Sequence, residues 1–329
     1  MRRREFMALL GSAAVWPLAA HAQQPKKIPR LCFLTFDPGT LQSRSPRFDA
    51  FFNTLRELGY VDGQTIAIDY LSANGRNDRF PALADECLHL KADVIAVTST
   101  PGALAAKNAT RTIPIVMLSL GDPVGTGLID SLARPQGNIT GMTLMTSDTA
   151  TKRLELLKEA FPGISRVLVL SYLVDPIAPL QVKALETIAP SLGVTLLVRD
   201  IRSADDLPTA FETGVSEGAD GVLVGPESIF TVHRTRVTEL AARHRLPAMY
   251  ALSLIITDAN GLMAYDANEP DLHRRAANYV SRILNGAKVS DLPIQRPSSV
   301  QLVINLKAAR SLGLTISHSV LARANEVIE

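Results

Sequence analysis

The sequence predicts an α/β protein with two similar lobes, each built on a parallel β-sheet that helices cover. Short apolar runs alternate along the chain with segments of helical periodicity. The runs are almost continuously apolar, which is typical of strands buried on both faces of a parallel sheet. The order of strand, turn and helix also recurs once, which indicates a duplicated unit.

The composition is that of a globular protein with about two domains. Of 329 residues, 47% are hydrophobic and 20% are charged. The net charge is +2, and Arg2, Arg3 and Arg4 against Glu5 account for it. The rest of the chain is close to neutral, which argues against nucleic acid as a partner and against a polybasic membrane-binding surface.

The first 22 residues have the pattern of an export signal. Basic residues precede an apolar stretch at 6–20, and Ala20-His21-Ala22 supplies the small residues of a cleavage site before Gln23. The arginines followed by Glu5 resemble a twin-arginine pattern. We expect cleavage near Ala22 and a periplasmic protein without a lipid anchor, because no cysteine stands at the cleavage point. An uncleaved anchor is the alternative, which the shortness of the stretch disfavours.

Apolar runs in the first half predict strands at 31–34, 65–68, 94–97 and 115–118, with a helix at 48–58. Cys32 falls in the first strand, and Cys87 falls on a helix of the same lobe. We expect two buried free thiols. A disulfide is the alternative, which an oxidising compartment permits.

The second half predicts strands at 167–170, 194–198, 221–224, 262–265 and 300–305. Helices are predicted at 152–160, 233–243, 306–311 and 319–327. The duplicated unit reads ADVIAV at 92–97 before IPIVM, and ADGVLV at 219–224 before LPAMY. The chain passes from the first series to the second near 137–143 without a linker, which favours two lobes joined by several short crossings; one large sheet is the alternative.

Signatures of cofactor, metal and catalytic chemistry are missing from the sequence. The glycines at 121–127 have the wrong spacing for a dinucleotide fingerprint, and the histidines beyond the export signal are never three or four residues apart. The G-x-S-x-G string at 214–218 follows a helix and precedes a strand, the reverse of a nucleophile elbow. We therefore expect no enzyme activity, no cofactor and no metal.

Polar and aromatic side chains recur where predicted strands end. Ligands of open α/β sheets bind beyond these carboxyl ends, so we expect a ligand site there. Each residue also has a structural interpretation as a cap, a turn residue or a packing residue. The candidate ligand-binding residues are Phe36, Asp37, Thr98, Ser99, Thr100, Gly121, Asp122, Thr143, Tyr172, Asp175, Glu227, Tyr250, Tyr265 and Asp266.

The charges of these candidates predict the type of ligand. Five of them are carboxylates and none is basic, so we expect a ligand with a cationic amine, held by carboxylates that include Asp122. The helix start at Ser99-Thr100-Pro101 is predicted to take the anionic end of a zwitterion. Tyr172, Tyr250 and Tyr265 are predicted to form apolar walls. An amino acid or related amine, aromatic or bulky, is expected.

Strings along the whole chain resemble the tryptophan/tyrosine-type ABC transporter substrate-binding protein family. Among them are LRELGYVDGQTIAIDY, GDPVGTGLIDSLARPQGNITG, GLMAYD and LPIQRPSSVQLVINLKAARSLGLTI. The resemblance implies a type 1 periplasmic-binding-protein fold, with two Rossmann-like lobes, a hinge of about three crossings and a ligand between the lobes. It also implies delivery of the ligand to an ABC permease and its ATPase. We expect the binding protein to act as a monomer.

By that pattern residues 30–142 and 261–294 form the N-terminal lobe, and residues 143–260 and 295–329 form the C-terminal lobe. The chain departs from the family pattern at 171–176 and at 267–270. Both segments face the cleft, which leaves the ligand open between tryptophan, tyrosine and other compounds. A sensory subunit for a membrane receptor and a periplasmic α/β enzyme are the alternative functions.

Overall fold

The structure is a computed structural model that describes residues 28–133, 135 and 137–329. The predicted export signal lies outside the described residues. Within them, no helix has the length and apolar character needed to cross a membrane.

Five parallel strands form the sheet of the first lobe, in the order β2-β1-β3-β4-β5. Their inner strands form because their side chains are apolar and buried on both sides. The strands are β1 (Arg30–Thr35), β2 (Ala67–Ser72), β3 (Val94–Val97), β4 (Ile115–Leu120) and β5 (Ile139–Thr143). The helices between them are α1 (Asp49–Glu57), α2 (Phe80–His89) and α3 (Thr100–Ala109). A 3-10 turn, Pro46–Phe48, precedes α1.

Seven strands form the sheet of the second lobe, in the order β12-β11-β10-β9-β8-β6-β7. All pairs are parallel except β10 with β11. The strands are β6 (Arg166–Ser171), β7 (Thr195–Asp200), β8 (Gly221–Val224), β9 (Ala248–Tyr250), β10 (Met263–Ala267), β11 (Val300–Asn305) and β12 (Glu326–Ile328). The helices are α4 (Thr146–Ala160), α5 (Ile177–Ile188), α6 (Asp206–Ser216), α7 (Ser228–Val232), α8 (Arg234–Arg243), α9 (Leu254–Ala259), α11 (Leu306–Leu312) and α12 (His318–Leu321). The predicted α/β class with two parallel-dominated lobes is confirmed.

The remaining helix, α10 (Glu269–Leu284), returns to the first lobe and packs on α1, β4 and β5. The strand before it does not, because Met263 of β10 pairs with Met249 of β9. The predicted lobe boundary at 261 therefore differs from the pairing, which keeps residues 263–267 in the second sheet.

Three short segments connect the lobes. The first joins β5 to α4, the second joins β10 to α10, and the third runs from 295 to 300. Gln295 closes the edge of the first sheet, because its backbone N–H donates to Gly141 O and its carbonyl accepts from Thr143 N, each at 2.9 Å. The first and third connecting segments thus meet at the β5 edge of the first sheet.

Several helices and strands of the structure begin or end at residues other than those predicted from the sequence. The strand predicted at 65–68 begins only at Ala67, because Gln64 and Thr65 bond back to the Val61 carbonyl in a turn. The helix predicted at 319–327 is wrong beyond Leu321, because β12 pairs in parallel with β11. The string at 214–218 contains the end of α6, as the sequence predicts.

The core consists of three apolar clusters. One belongs to the first lobe and contains Phe33, Phe48 and Phe51, and another lies in the second lobe around α4 and β6. The third spans both lobes, since it includes Leu120 as well as Leu168. Contact between the lobes is therefore continuous with their cores.

Cys32 of β1 and Cys87 of α2 form a disulfide, and both residues are fully buried. The expectation of two free thiols is wrong. The helix packs across the strand so that the two Cα atoms lie 5.7 Å apart, which suits a disulfide. The bond closes a loop with a sequence separation of 55 that contains α1 and β2.

Removal of this disulfide should destabilise the first lobe. For the double variant Cys32→Ala/Cys87→Ala we expect the free energy of unfolding to fall by about 2–4 kcal/mol, because the unfolded chain regains loop entropy. Urea denaturation with and without reductant measures it, and reduced wild type should resemble the variant. Equal stability of oxidised wild type and variant would contradict this expectation.

Candidate functional site

A cavity lies between the two lobes at the carboxyl ends of strands from both sheets. About 410 Å³ of non-atom space lies in it, part of which is open to solvent. Since both sheets end here, every segment that follows a strand can contribute a side chain. The lining residues are Arg47, Thr98, Ser99, Thr100, Ser119, Leu120, Gly121, Leu144, Thr146, Asp175, Ile177, Pro226, Glu227, Ser228 and Leu252.

The turn after β3 forms one part of the first-lobe wall. Ser99 caps α3, and its Oγ accepts from Gly102 N at 3.3 Å. Pro101 has no N–H, so the start of the helix offers fewer donors to an anion than the sequence predicts. The Thr98 hydroxyl donates to Thr35 Oγ1 at 3.0 Å, which orients it within the sheet.

Arg47 forms another part of this wall, although it follows no strand. Its Nη2 lies 2.7 Å from Glu269 Oε1, and its Nη1 lies 3.7 Å from Asp37 Oδ1. Its Nε–H has no hydrogen-bond partner among the described residues. The positive charge of Arg47 is therefore balanced by carboxylates, while its Nε–H remains free to donate a hydrogen bond.

Ser119 and His273 complete what we name the Arg47 cluster, which consists of Asp37, Arg47, Ser119, Glu269 and His273. The Ser119 hydroxyl donates to Glu269 Oε1 at 3.0 Å, and His273 Nε2 lies 3.1 Å from Ser119 Oγ. His273 Nδ1 lies 3.0 Å from the Arg47 carbonyl, which can only accept, so Nδ1 carries a proton.

Burial and charge act in opposite directions on the acids of the cluster. Burial raises the pKa of Asp37, and nearby Arg47 offsets this only in part. Burial also raises the pKa of Glu269, but Arg47 and His273 outweigh it, so this pKa lies below its ordinary value. Burial lowers the pKa of His273. Glu269 is therefore the ionised partner of Arg47.

The second-lobe wall contains Asp175 and Glu227, which we name the acidic wall. Asp175 follows β6, and its Oδ1 accepts from Ile177 N at 3.1 Å. Burial raises the pKa of Asp175 to about 7. Burial and the nearby Asp175 raise the pKa of Glu227 to about 8.

Glu227 is held by a close approach of the backbone. A Cβ at Gly225 would lie 2.1 Å from Glu227 Oε2, so a larger residue here would displace this carboxyl group from its present position. Gln181 Nε2 donates to Glu227 Oε1 over a long 3.5 Å. Oε2 has no hydrogen-bond partner among the described residues. An acceptor is thus available at the cavity.

Arg153 lies behind the acidic wall without pairing with it. Its guanidinium donates to Thr149 Oγ1 and Gln181 Oε1, both at 3.1 Å. Burial lowers the pKa of Arg153 to about 10, against the effect of Glu227 and Asp266. Among the described residues, neither member of the acidic wall has a basic group within salt-bridge distance.

Six predicted site residues meet at this cavity: Thr98, Ser99, Thr100, Gly121, Asp175 and Glu227. Asp37 lies behind Arg47. Asp122 is placed elsewhere, because its Oδ1 accepts from Gly125 N at 2.9 Å and caps a turn. Thr143 is fully buried, and its hydroxyl donates to the Gly121 carbonyl.

The aromatic candidates do not line the cavity. Phe36 and Tyr172 are buried in the apolar cluster that spans both lobes. Tyr250 packs against Gly261 in the second lobe, and Tyr265 packs on the other cluster of that lobe. Asp266 accepts from Ser253 N at 2.6 Å, and burial raises its pKa to about 6. The predicted tyrosine walls are thus absent from the described part of the cavity.

The predicted site residues do not include Arg47, Ser119, Glu269 or His273, although residue 269 lies in the segment 267–270 that is expected to face the cleft. Ser119 directly follows the strand predicted at 115–118, so its place at a strand end was predictable from the sequence. Glu269 and His273 lie on α10, which reaches the first lobe only through the return of the chain, and Arg47 lies on a 3-10 turn that does not directly follow a strand. The described residues contain no group of three side chains that could hold a metal ion.

Two α/β lobes, three connecting segments and a polar cavity between the lobes define a solute-binding protein of two lobes. A model of the ABC transporter substrate-binding protein family matches residues 42–328, and the chain belongs to this family. It is therefore a substrate-binding protein of an ABC transporter, a class that binds a small molecule outside the cytoplasm and works with a permease and an ATPase.

Relatives agree with this assignment. The chain is 27% identical over 266 residues to a tyrosine-binding protein of Clostridioides difficile, with 80% of this chain and 75% of that protein covered. An ABC domain from Streptococcus pneumoniae, solved in complex with L-tryptophan, has a TM-score of 0.81 at 24% identity, with 91% of this chain and 99% of that one covered. The second comparison shows the fold alone.

The lobes are closed on each other. A Cβ at Gly121 would lie 2.7 Å from Ile177 Cγ1, so backbone of the first lobe touches the start of α5. A ligand-free, open substrate-binding protein with adhesive properties from Clostridium difficile is 25% identical but has a TM-score of only 0.62, with 92% of this chain and 99% of that one covered.

Closure of the unliganded protein should depend on pH. The closed form raises the pKa of Asp175 and Glu227 above their ordinary values, so it binds protons more tightly than an open, hydrated form. Closure is thus favoured at low pH and is lost as the pH rises through 7 and 8. Small-angle scattering should show a larger radius of gyration at about pH 8.5 than at about pH 5.5.

Two variants make this test specific. Asp175→Asn/Glu227→Gln removes both titrating groups and should abolish the change in radius. Asp122→Asn, the same type of substitution outside the cavity, should keep it. An unchanged wild-type radius, or an equal response of the double variant, would contradict the pKa assignment.

Proposed function

We propose that the protein is the periplasmic solute-binding component of an ABC importer, and that its cavity captures a small molecule with a primary amine, most simply an amino acid. The observation that carries this proposal is the acidic wall. Asp175 and Glu227 are buried beside each other with no basic partner within salt-bridge distance among the described residues. A buried carboxylate is costly unless a proton or a cation compensates it, and a ligand ammonium group supplies that cation.

The opposite wall suits the other end of an amino acid. Arg47, whose Nε–H has no partner among the described residues, lines the cavity from the first lobe together with the hydroxyl residues Ser99 and Thr100. A ligand carboxylate would accept from these donors while its ammonium group binds the acidic wall. A zwitterion would then bridge the lobes and stabilise closure, because each end finds its partners on a different lobe.

Further support comes from the relatives, since one is named a tyrosine-binding protein and another structure contains L-tryptophan. Membership of a substrate-binding family also supports a role without catalysis. The export pattern at residues 1–22 supports twin-arginine secretion with cleavage near Ala22, and the lack of a cysteine at the cleavage point supports a protein without a lipid anchor. Delivery to an ABC permease and its ATPase follows from the family.

The amine requirement can be measured by thermal shift. Amino acids should raise the melting temperature, whereas the acids that lack only the amine should not: isocaproate for L-leucine and hydrocinnamate for L-phenylalanine. Glu227→Gln should weaken binding of the best ligand by about tenfold or more, because a charge-assisted hydrogen bond is lost. Asp122→Asn should bind as wild type does. Tight binding of the amine-free acids would overturn the amine assignment.

A further inference from the structure

The apolar part of the cavity wall is entirely aliphatic. Leu120 and Leu144 contribute to it from the first-lobe side, and Ile177, Pro226 and Leu252 contribute from the second. Among the residues that the structure describes, no phenylalanine, tyrosine or tryptophan lines the cavity. The side chain of the ligand would therefore contact aliphatic groups, with no aromatic ring on which to stack.

The aromatic rings near the cavity are packed in the hydrophobic core. Phe36 and Phe230 are 2% and 1% exposed and belong to the cluster that spans both lobes. Tyr250 is 1% exposed in the same cluster. Rotation of any of these rings toward the ligand would leave a void in a packed interior, which is strongly unfavourable. The aliphatic wall is thus a stable property of the closed protein.

The cavity is also small. Its 410 Å³ of non-atom space includes a part that is open to solvent, so the enclosed space is smaller than this figure. Ile177 sits so close to Gly121 that no Cβ would fit between them, so the seam between the lobes limits the space for a flat ring. Polar groups for both ends of an amino acid occupy part of the remaining wall.

We propose that the preferred ligand is a compact aliphatic amino acid, with a branched side chain about the size of leucine, and that aromatic amino acids bind more weakly. This rests on the proposed function, because the acidic wall must first hold an amine. The preference would separate this protein from the tyrosine-binding relative and the tryptophan-bound structure.

Isothermal titration calorimetry of the mature protein tests the preference. L-leucine and L-isoleucine should bind at least about tenfold more tightly than L-phenylalanine, L-tyrosine and L-tryptophan, a ratio that one or two methylene contacts can supply. Tighter binding of any aromatic amino acid overturns the aliphatic preference and leaves the amine requirement intact. Tight binding of isocaproate or hydrocinnamate overturns the amine requirement instead, and with it the proposal.

A variant of the wall gives an independent test. Ile177→Ala removes part of the aliphatic wall and enlarges the cavity, so it should move the ratio of the leucine and phenylalanine dissociation constants at least about tenfold toward phenylalanine. Ile188→Ala, at the other end of α5, packs on the second-lobe core and does not line the cavity. It should leave the ratio unchanged. An unchanged ratio in Ile177→Ala would contradict the proposal.

Discussion

Burial of two carboxyl groups in one wall of the cleft is the constraint on which the rest of the site depends. In the closed protein, Asp175 and Glu227 face a small cavity, and the nearest guanidinium behind them, that of Arg153, donates to other groups. Such carboxyl groups stay neutral by keeping protons, or they ionise against a cation. A ligand with an ammonium group replaces the protons, so ligand binding, lobe closure and protonation are coupled at the acidic wall.

The Arg47 cluster shows how the connections between the lobes serve the cavity. The segment after β10 leads directly into α10, whose first residue, Glu269, holds the guanidinium of Arg47. His273, one turn later, donates its Nδ1–H to the Arg47 carbonyl. The return of the chain to the first lobe therefore fixes a donor in the cavity wall. Movement at this connection and the position of Arg47 are mechanically linked.

The local sequence pattern predicts some strands and site residues of this molecule and does not predict others. Strands β3 and β8 are continuous apolar runs, so their positions are predictable, and Asp175 and Glu227 follow from strand ends. Strand β5 is harder to recognise because polar Thr140 and Thr143 interrupt the run, although both are fully buried. Arg47 reaches the cavity only through long-range packing. Neighbouring side chains in a strand point to opposite faces, which explains why strand-end tyrosines pack in the cores.

Proton exchange on ligand binding is the most direct test of the acidic wall. Calorimetric titration of the best amine ligand near pH 7, repeated in buffers with different ionisation enthalpies, counts the protons exchanged. Binding of an ammonium group should lower the raised pKa values of Asp175 and Glu227, so the protein should release protons, up to about one per ligand. The double variant Asp175→Asn/Glu227→Gln, if it still binds, should release none. Proton uptake, or binding of wild type with no proton exchange, would contradict a wall of buried carboxyl groups that awaits a cation.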